Sequence, residues 1–581
     1  MDQTTILTLR SLYYSFRLLI HNVYNRFDQL LKGISSLLCL VIIILLFLEF
    51  AFHLENTHLS GYYLFHYLLI AFFATDSLLR VLFFKKTKWT YSYQNPINSL
   101  VLIVFSLDLF YPSFQINFFI SQILLFMVLV SRVSHLQLFL KWLKVRPTQI
   151  IILAFLFVIF VGTLLLSLPL STSTNIPIPF IDALFTSFSA VCVTGLTVNN
   201  IGSDFSFFGQ LIILFLIQIG GLGIMSFSAL LMLILRRKVS QSDTMRLQEN
   251  YATMNLKETF SAIGFIFKFT LFFEFIGSVF LIAFWYTPQK NLHDIIFSAI
   301  FHSISAFCNA GFSLFSDSLI SFQFHFPTVF IISFLIIVGG LGFPVLFNLY
   351  QRYIKHKHIK LRLQTRMALI ITGFLIVFGT IIIFLTEYSH SMNALTVFQK
   401  LQLSYFQSVT TRTAGFMTTD ITMFHPSTIM MCIILMIIGA SPVSTGGGIK
   451  TTTFALILIS FWNIVKSSFR FDYQHKTIDP NSVFVAFATL FIAIFLIFSF
   501  SFFLFLTDVA PIDKLLFEVV SAFGTVGLSL GVTPHLSAIG KLIIMTIMFI
   551  GRIGPFVFLY AFFQRRNVKH YSYPVEKVSI V

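Results

Sequence analysis

Long runs of apolar residues, separated by short polar or basic loops, recur from residue 35 to residue 563. A helix needs roughly 20 apolar residues to cross a bilayer, and most of these runs are that long. With 57% hydrophobic and only 10% charged residues, the chain is too apolar for a soluble globular protein. The pattern predicts an all-α polytopic membrane protein.

The net charge of +16 lies in the loops between the apolar runs and not on a soluble face, which argues against a nucleic-acid partner. The basic clusters are Lys85, Lys86 and Lys88; Lys141, Lys144 and Arg146; Arg236, Arg237 and Lys238; Lys355, Lys357, Lys360 and Arg362; Lys466 and Arg470; and Arg565 and Arg566. Such loops stay in the cytoplasm, and an even number of predicted crossings separates consecutive clusters. We therefore expect both termini to be cytoplasmic.

The first part of the chain predicts two further units. Apolar positions in residues 1–34 are spaced as on one helix face, which predicts an amphipathic helix at the cytoplasmic leaflet or packed on the membrane domain. Residues 35–147 contain four apolar runs, near 35–54, 62–84, 97–112 and 117–140, and predict a four-helix transmembrane domain.

The rest of the chain contains an internal repeat, marked by two glycines in each of four copies. The first glycines are Gly195, Gly311, Gly415 and Gly527, and the second are Gly220, Gly339, Gly439 and Gly551. Each copy predicts a long helix, a helix too short to span, the glycine stretch and another long helix. The predicted leading helices are 149–169, 258–285, 363–387 and 482–508, and in the first copy the short and trailing helices are 181–191 and 208–235. The fold predicted is four helix–pore-helix–helix repeats around a pseudo-fourfold pore.

The glycine stretches predict a cation filter. Non-helical backbone at membrane depth is stable only where protein buries it or where it lines a watery cavity, so four such stretches indicate one central pore. Backbone carbonyls can replace the water around a cation, and turning them toward one axis needs positive φ, which glycine accepts. A helix-packing contact would explain a single glycine, but not four. The predicted filter residues are Val193, Thr194, Gly195, Asn309, Ala310, Gly311, Thr413, Ala414, Gly415, Thr525, Val526 and Gly527.

Two features next to the second glycines predict a gate. In the third copy, Gly446, Gly447 and Gly448 lie among Ser and Thr before Lys450, which predicts a flexible loop below the filter; a kinked helix is the alternative. The pattern argues against a nucleotide-binding P-loop, because Ile449 separates glycine from lysine and no strand is predicted before the glycines. In the fourth copy Arg552 follows the second glycine, and an arginine inside a membrane helix is costly enough to indicate a function or a structural ion pair.

Residues that could carry other chemistry have simpler explanations. Cys39, Cys192, Cys308 and Cys432 lack the spacing of a disulfide or zinc site and are predicted to be free thiols, with no transition-metal site. Asp182, Asp294 and Asp513 each precede a short helix and are predicted to be N-caps. His302 is predicted to be a packed residue of the second short helix.

The four filter glycines, the interrupted third repeat and Arg552 together resemble the Trk/Ktr/HKT superfamily of potassium transporters, over about residues 148–570. The resemblance implies a single-file K⁺ filter, an intramembrane gate loop at residues 440–451, and Arg552 as the basic gate residue. It also implies a homodimer in a bacterial cytoplasmic membrane, with a possible cytosolic nucleotide-binding regulatory subunit. No cofactor is expected, and K⁺ is the transported ion. Gly195 stands where sodium-selective plant members have serine, which implies potassium permeability.

The repeats are expected at about 148–240, 255–355, 360–470 and 480–563, with a cytoplasmic tail at 571–581. The added domain at 35–147 resembles a degenerate voltage sensor. Its fourth segment carries Arg132 and His135 but no arginine at every third position, so a structural or dimer-contacting role is favoured over voltage sensing.

Other functions fit the pattern less well. A four-repeat voltage-gated channel would have six spanning helices in each repeat instead of two. A polytopic membrane enzyme would need clustered carboxylates or histidines at membrane depth, which the sequence lacks. A less selective K⁺/Na⁺ channel or a cation symporter of the same fold needs the same filter and stays open.

Overall fold

The structure is a computed structural model that describes residues 147–223, 256–289, 291–356, 360–466, 471–473 and 476–563. The chain divides into two units, Met1–Val145 and Arg146–Val581, and all described residues belong to the second. The predictions for residues 1–34 and 35–146, for the basic cluster at residues 236–238 and for the tail at 571–581 lie outside the described residues.

Each of four repeats contains a leading helix, a short helix and a trailing helix. In chain order these are Pro147–Leu166, Phe180–Cys192 and Phe207–Leu222; Leu256–Trp285, Leu292–Phe307 and Phe326–Gly340; Leu363–Glu387, Val397–Thr410 and Pro426–Ile437; and Pro480–Thr507, Ile512–Gly524 and Ala538–Ile553. The predicted all-α repeat architecture is confirmed, and the leading helices lie within three residues of their predicted bounds.

The trailing helices of the first, second and fourth copies end or bend within three residues after their second glycine, which corrects the expectation of one long helix in each of them. The third trailing helix ends at Ile437, two residues before Gly439. The helix predicted at 208–235 ends at Leu222. The second trailing helix bends by 97° before Phe343–Leu349, and the fourth bends by 95° before Pro555–Phe563. Gly342 and Gly554 take φ values of 86° and 98° at the bends, and a proline is the second residue of the helix after Gly342 and the first residue of the helix after Gly554. The chain therefore cannot continue straight.

The remaining elements are short. They are the helices Ile201–Asp204 and Thr451–Val465, the 3-10 turns Pro169–Ser171, Ile320–Phe322, Ile421–Met423 and Thr533–His535, the π-helical turn Tyr350–Ile354, and the antiparallel strands Asp472–Tyr473 and Lys476–Thr477. Three described segments, Gly264–Trp285, Leu363–Glu387 and Pro480–Thr507, are long and apolar enough to cross a membrane, and each bent pair could add one span.

A serine fastens the short helix to the leading helix in three repeats. Ser187 Oγ donates to Ile159 O at 2.7 Å, Ser303 Oγ to Glu274 O at 2.7 Å, and Ser408 Oγ to Ile376 O at 2.9 Å. A glycine three residues further along the leading helix leaves room for the serine, because a Cβ built on Gly162 would lie 2.6 Å from Ser187 Oγ. Small residues therefore let these helices approach closely.

The second glycines hold the trailing helices against the ends of the short helices. A Cβ built on Gly220 would lie 2.2 Å from Val191 O, and one on Gly551 would lie 2.0 Å from Phe523 O. Gly339 has the same relation to Phe307 O at 1.9 Å, whereas a Cβ on Gly439 would meet Gly447 O of the following loop at 2.1 Å. These glycines therefore pack helices, and the third repeat uses its glycine to seat the loop.

The N-cap prediction for the three aspartates was wrong. Asp182, Asp294 and Asp513 lie inside the first turn of their helices, because the chain enters each helix at an earlier proline or asparagine. The positive end of the helix dipole still stabilises a carboxylate in the first turn. Asp182 also forms an ion pair with Lys541 Nζ at 2.6 Å. This ion pair connects the first short helix to the fourth trailing helix.

Candidate functional site

All four short helices lead into a stretch of the same backbone shape. The residue two places before each first glycine is left-handed: Val193, Asn309, Thr413 and Thr525 have φ values of 58°, 57°, 72° and 50°. The glycines themselves, Gly195, Gly311, Gly415 and Gly527, have φ values of 90°, 71°, 79° and 92°. Non-glycine residues rarely adopt such φ values, so their recurrence at one position in four copies indicates a shared requirement.

The four glycines meet around one axis. A Cβ built on Gly195, Gly311, Gly415 or Gly527 would lie, respectively, 2.4 Å from Ala310 O, 2.7 Å from Ala414 O, 2.4 Å from Val526 O, and 2.2 Å from Thr194 O. Each glycine thus abuts a carbonyl of the next repeat, and the fourth closes on the first. We call these four residues the glycine ring. The structure brings together all twelve residues that the sequence predicted for the filter.

A hydroxyl group holds each stretch from behind. Ser189 Oγ accepts from Gly195 N at 3.0 Å, and Ser521 Oγ accepts from Gly527 N at 3.1 Å. Ser305 Oγ donates to Phe312 O at 2.8 Å, and Thr410 Oγ1 donates to Phe416 O at 2.7 Å. The third repeat lacks the serine of the other copies, and Thr410 supplies its hydroxyl.

Asn309 connects two neighbouring stretches. In the amide orientation that satisfies its neighbours, its nitrogen donates to Ala306 O at 3.2 Å and Ile336 O at 3.1 Å, and its oxygen accepts from Thr413 Oγ1 at 3.2 Å. The short helices also direct the negative ends of their dipoles toward these stretches. The surroundings of the ring therefore favour a cation at the axis without a fixed carboxylate there.

Residues 438–450, the third-repeat loop, lie directly against the stretches that lead into the glycine ring. Gly447 N donates to Thr525 Oγ1 at 2.9 Å. A Cβ built on Gly446 would lie 2.1 Å from Thr413 Oγ1, and one on Gly447 would lie 2.4 Å from Thr525 Oγ1. The glycines predicted for the gate are therefore the residues that allow this close approach. The loop begins two residues earlier than predicted, and Thr451 starts the next helix.

The loop is packed in this structure and also fills the break in the second trailing helix. Ser441 N donates to Gly340 O at 3.0 Å, and Phe343 N donates to Val443 O at 3.1 Å. Within the loop, Lys450 Nζ donates to Gly446 O at 2.7 Å. Most of the loop is buried.

Arg552 fastens the loop to the first repeat. Its Nη1 donates to Thr445 O and its Nη2 donates to Gly220 O. The partners are backbone carbonyls and not the carboxylate that a structural ion pair would supply. Gly220 O also accepts from Gly223 N at 3.2 Å, and it lies in the last turn of a helix, where a positive charge is favourable.

Two buried ionisable residues stand behind the ring. Arg412 donates through Nη1 and Nη2 to Thr372 O and Oγ1, both at 3.4 Å. Glu274, which the sequence reasoning missed, accepts from Gln218 Nε2 at 3.2 Å and lies 3.9 Å from Cys308 Sγ. The signal available for Glu274 was an acidic residue inside an apolar run.

The cysteines behind the ring are buried free thiols. Cys192 and Cys308 are fully buried, as is Cys432, and Cys39 lies outside the described residues. Within the part of the chain that the structure describes, no group of three His, Cys, Asp or Glu side chains is arranged to hold a metal ion.

Comparison with known proteins gives three findings. The TrkH family, described as cation transport protein, matches residues 116–569. Ktr system potassium uptake protein B of Bacillus subtilis (strain 168) is 40% identical over 437 residues, which cover 74% of this chain and 96% of that protein. Potassium/sodium uptake protein NtpJ of Enterococcus hirae is 36% identical over 451 residues, covering 75% of this chain and 98% of that protein.

The fold has a solved counterpart. The crystal structure of the potassium transporter TrkH from Vibrio parahaemolyticus matches with a TM-score of 0.58 at 19% identity, over 86% of this chain and 96% of that one. At this identity the match concerns the fold. With the apolar helices, the family match and the relatives, it identifies a multi-pass membrane protein.

Proposed function

Because the chain belongs to the TrkH family of cation transport proteins, whose members are transporters and not enzymes, we propose that it takes up potassium ions through the glycine ring. The observation that carries the proposal is the closed ring of four glycines, each against a carbonyl of the next repeat. The filter in this proposal consists of one three-residue stretch from each repeat. The stretches are Val193, Thr194 and Gly195; Asn309, Ala310 and Gly311; Thr413, Ala414 and Gly415; and Thr525, Val526 and Gly527.

Carbonyl oxygens around one axis can replace the hydration shell of K⁺ without a fixed charge that would hold the ion too tightly. The repeated alternation of left-handed residue, ordinary residue and glycine is the backbone shape that such a filter requires. The relatives named as potassium uptake proteins support the choice of ion. K⁺ is the cargo here, and no other cofactor is proposed.

The gate in this proposal consists of the third-repeat loop and Arg552. The loop lies against Thr413 and Thr525, directly below the ring in the direction of ion passage. Arg552 donates a hydrogen bond to Thr445 O of the loop, and Lys450 donates one to Gly446 O. Ion passage requires these contacts to release, so Gly446, Gly447, Gly448, Lys450 and Arg552 are the proposed gate residues.

A second candidate is a less selective K⁺/Na⁺ pathway, either a channel or a cation symporter. The similarity to a potassium/sodium uptake protein supports this second candidate. Gly195, in place of the serine of sodium-selective relatives, favours potassium. Competition of Na⁺ with K⁺ uptake distinguishes the two, and uptake driven by an imposed proton or sodium gradient distinguishes a symporter from a channel.

The oligomeric state, the membrane, the orientation and the regulatory partner of the chain are also part of this proposal. By the resemblance, we place the chain as a homodimer in the bacterial cytoplasmic membrane with both termini inside, and with a cytosolic nucleotide-binding subunit as regulatory partner. Size determination in detergent tests the dimer. Binding of such a subunit to the purified chain, with and without nucleotide, tests the partner.

Rescue of a K⁺-uptake-deficient bacterium on low-K⁺ medium tests the function. Wild type is expected to restore growth, whereas Gly195→Ser is expected to lose most of the rescue. The serine side chain would meet Ala310 O, and the φ of 90° at residue 195 disfavours any residue but glycine. Gly373→Ala is the matched control, because a Cβ there meets nothing within 4 Å. A well-expressed wild type that restores no growth would contradict the potassium assignment.

A further inference from the structure

One fully buried side chain stands at the same place in all four short helices, nine residues before the ring glycine. These residues are Thr186, His302, Phe406 and Glu518. They differ in chemistry although the backbone around them repeats. Two of them carry hydrogen bonds to the chain that follows the ring glycine.

In the fourth repeat, Glu518 binds the segment that follows Gly527. Its Oε1 accepts from Ser529 Oγ at 2.5 Å and from Leu530 N at 3.2 Å, and its Oε2 accepts from Thr533 Oγ1 at 2.8 Å. Both carboxyl oxygens of Glu518 therefore accept hydrogen bonds. This carboxylate is bound to its own post-glycine segment instead of a cation.

In the second repeat, His302 makes the corresponding contact. Its Nε2 lies 2.9 Å from Ser313 Oγ, and its Nδ1 lies 2.7 Å from Ser298 O. A carbonyl only accepts, so Nδ1 carries a proton, and Nε2 forms the contact with Ser313. The imidazole also stacks on Phe315 with ring centroids 4.6 Å apart, which fixes its plane. Ser313 and Ser529 both lie two residues after a ring glycine.

The segment that His302 holds supports its neighbours as well. Met417 N of the third repeat donates to Ser318 Oγ at 3.1 Å, and Leu319 N donates to Met417 O at 2.9 Å. On the other side, a Cβ built on Gly202 of the first repeat would lie 1.9 Å from Leu314 O. The post-glycine segments of the first and third repeats therefore rest on that of the second.

At the corresponding position, the first and third short helices contribute no such bond. Phe406 has no polar group, and Thr186 Oγ1 is buried with no hydrogen-bond partner among the described residues. Since the ring joins the repeats in chain order, the second and fourth repeats lie opposite each other across the axis. Two opposed anchors thus support four post-glycine segments.

We propose that His302 and Glu518 are positioning residues that fix the outer end of the glycine ring, through Ser313 and Ser529, and thereby set its affinity for the transported cation. The inference rests on the proposed function of the ring as a filter. The positions of the ring carbonyls depend on the chain on both sides of each glycine. Loss of an anchor lets the carbonyls move, so a cation is bound less well while the closed loop below is untouched.

The test measures the initial rate of K⁺ uptake against external K⁺ in vesicles containing the full-length chain. Glu518→Gln replaces one accepting oxygen with an amide NH₂ group that cannot accept, and His302→Phe removes both ring nitrogens at a similar side-chain size. We expect each to raise the apparent KM for K⁺ about tenfold, the effect of losing one hydrogen bond, with Vmax per folded protein little changed. We also expect Na⁺ to compete more strongly in both variants.

Thr186→Val is the matched control, because it alters the same position of the first short helix without removing a described hydrogen bond. Ser313→Ala and Ser529→Ala remove the same bonds from the other side and are expected to reproduce the rise in KM. They also serve where an anchor variant fails to fold.

The outcomes separate the two proposals. Wild-type vesicles that take up no K⁺ contradict the proposed function itself. Wild-type uptake with an unchanged KM in the anchor variants and both serine variants contradicts the positioning role alone. A fall in Vmax at constant KM also contradicts it, because that is the effect of a purely structural residue.

Discussion

The backbone N–H of Gly447 donates to the hydroxyl oxygen of Thr525 at 2.9 Å, which connects the third-repeat loop to the stretch that leads into the fourth ring glycine. The loop and the ring are therefore in direct contact, with no room for a side chain at the point where they meet. In the proposed gate, this contact couples movement of the loop to accessibility of the ring.

Gly447→Ala is expected to raise K⁺ flux. The added methyl group would lie 2.4 Å from Thr525 Oγ1, so the loop must move away from the ring. A destabilisation of about 1 kcal/mol shifts a two-state equilibrium about fivefold toward the open arrangement. Flux is measured in reconstituted vesicles, with Gly373→Ala as the control that adds the same methyl group in open space. A flux at or below the wild-type value in Gly447→Ala would count against the loop as gate.

Arg552→Ala is expected to raise flux as well, and Arg552→Lys to have a smaller effect. Alanine removes both bonds, to Thr445 O and Gly220 O, whereas lysine keeps the positive charge and can bond one carbonyl. The loss of one such bond shifts the equilibrium about tenfold. Single-channel or vesicle measurements check whether the flux is highest in Arg552→Ala, intermediate in Arg552→Lys and lowest in the wild type. Equal flux in all three proteins would show that the clamp does not limit passage.

Gly551→Ala is expected to lower stability by about 1 to 3 kcal/mol, because overpacking forces neighbouring backbone to shift. Its Cβ would meet Phe523 O at 2.0 Å, where the fourth trailing helix crosses the end of the short helix. Thermal unfolding in detergent measures the change, again against Gly373→Ala. An unchanged unfolding temperature would mean that the two helices can separate without cost.

The ion pair between Asp182 and Lys541 is expected to stabilise the closure between the first and fourth repeats. Both side chains are largely buried, at 14% and 12% exposure, so Asp182→Asn should cost about 2 kcal/mol. Lys541→Met added to Asp182→Asn should cost less than the sum of the two single changes. Additive losses in a double-mutant cycle would show that the two groups do not interact in the folded protein.

Sequence alone predicted the parts of the fold that repetition and apolar run length determine. Four glycines at matching positions predicted the ring, and run length placed the leading helix Leu363–Glu387 without error. The bends after Gly342 and Gly554 were missed, although a proline lies one or two residues after each glycine, because an apolar run continues across the bend. Hydropathy reports whether a segment is apolar but not where it turns.

The supports of the ring could not be predicted because the residues that form them differ in type from one repeat to the next. The left-handed Val193, Asn309, Thr413 and Thr525 have no common residue type that would have indicated their conformation. Glu518 looked like any acidic residue of a short helix until its bonds to Ser529 and Thr533 were visible. Arg552 was predicted to be unusual, but its carbonyl partners come from two other repeats.

The relative permeability of K⁺ and Na⁺ through wild-type and Gly195→Ser protein, measured as the reversal potential in planar bilayers or vesicles, tests the central claim most directly. A ring of carbonyls that forms the filter predicts a K⁺-selective wild type and a variant with lost or strongly reduced preference, since the serine side chain would displace Ala310 O. A wild type without K⁺ conductance, or a Gly195→Ser variant with unchanged selectivity, would contradict the glycine ring as the ion filter.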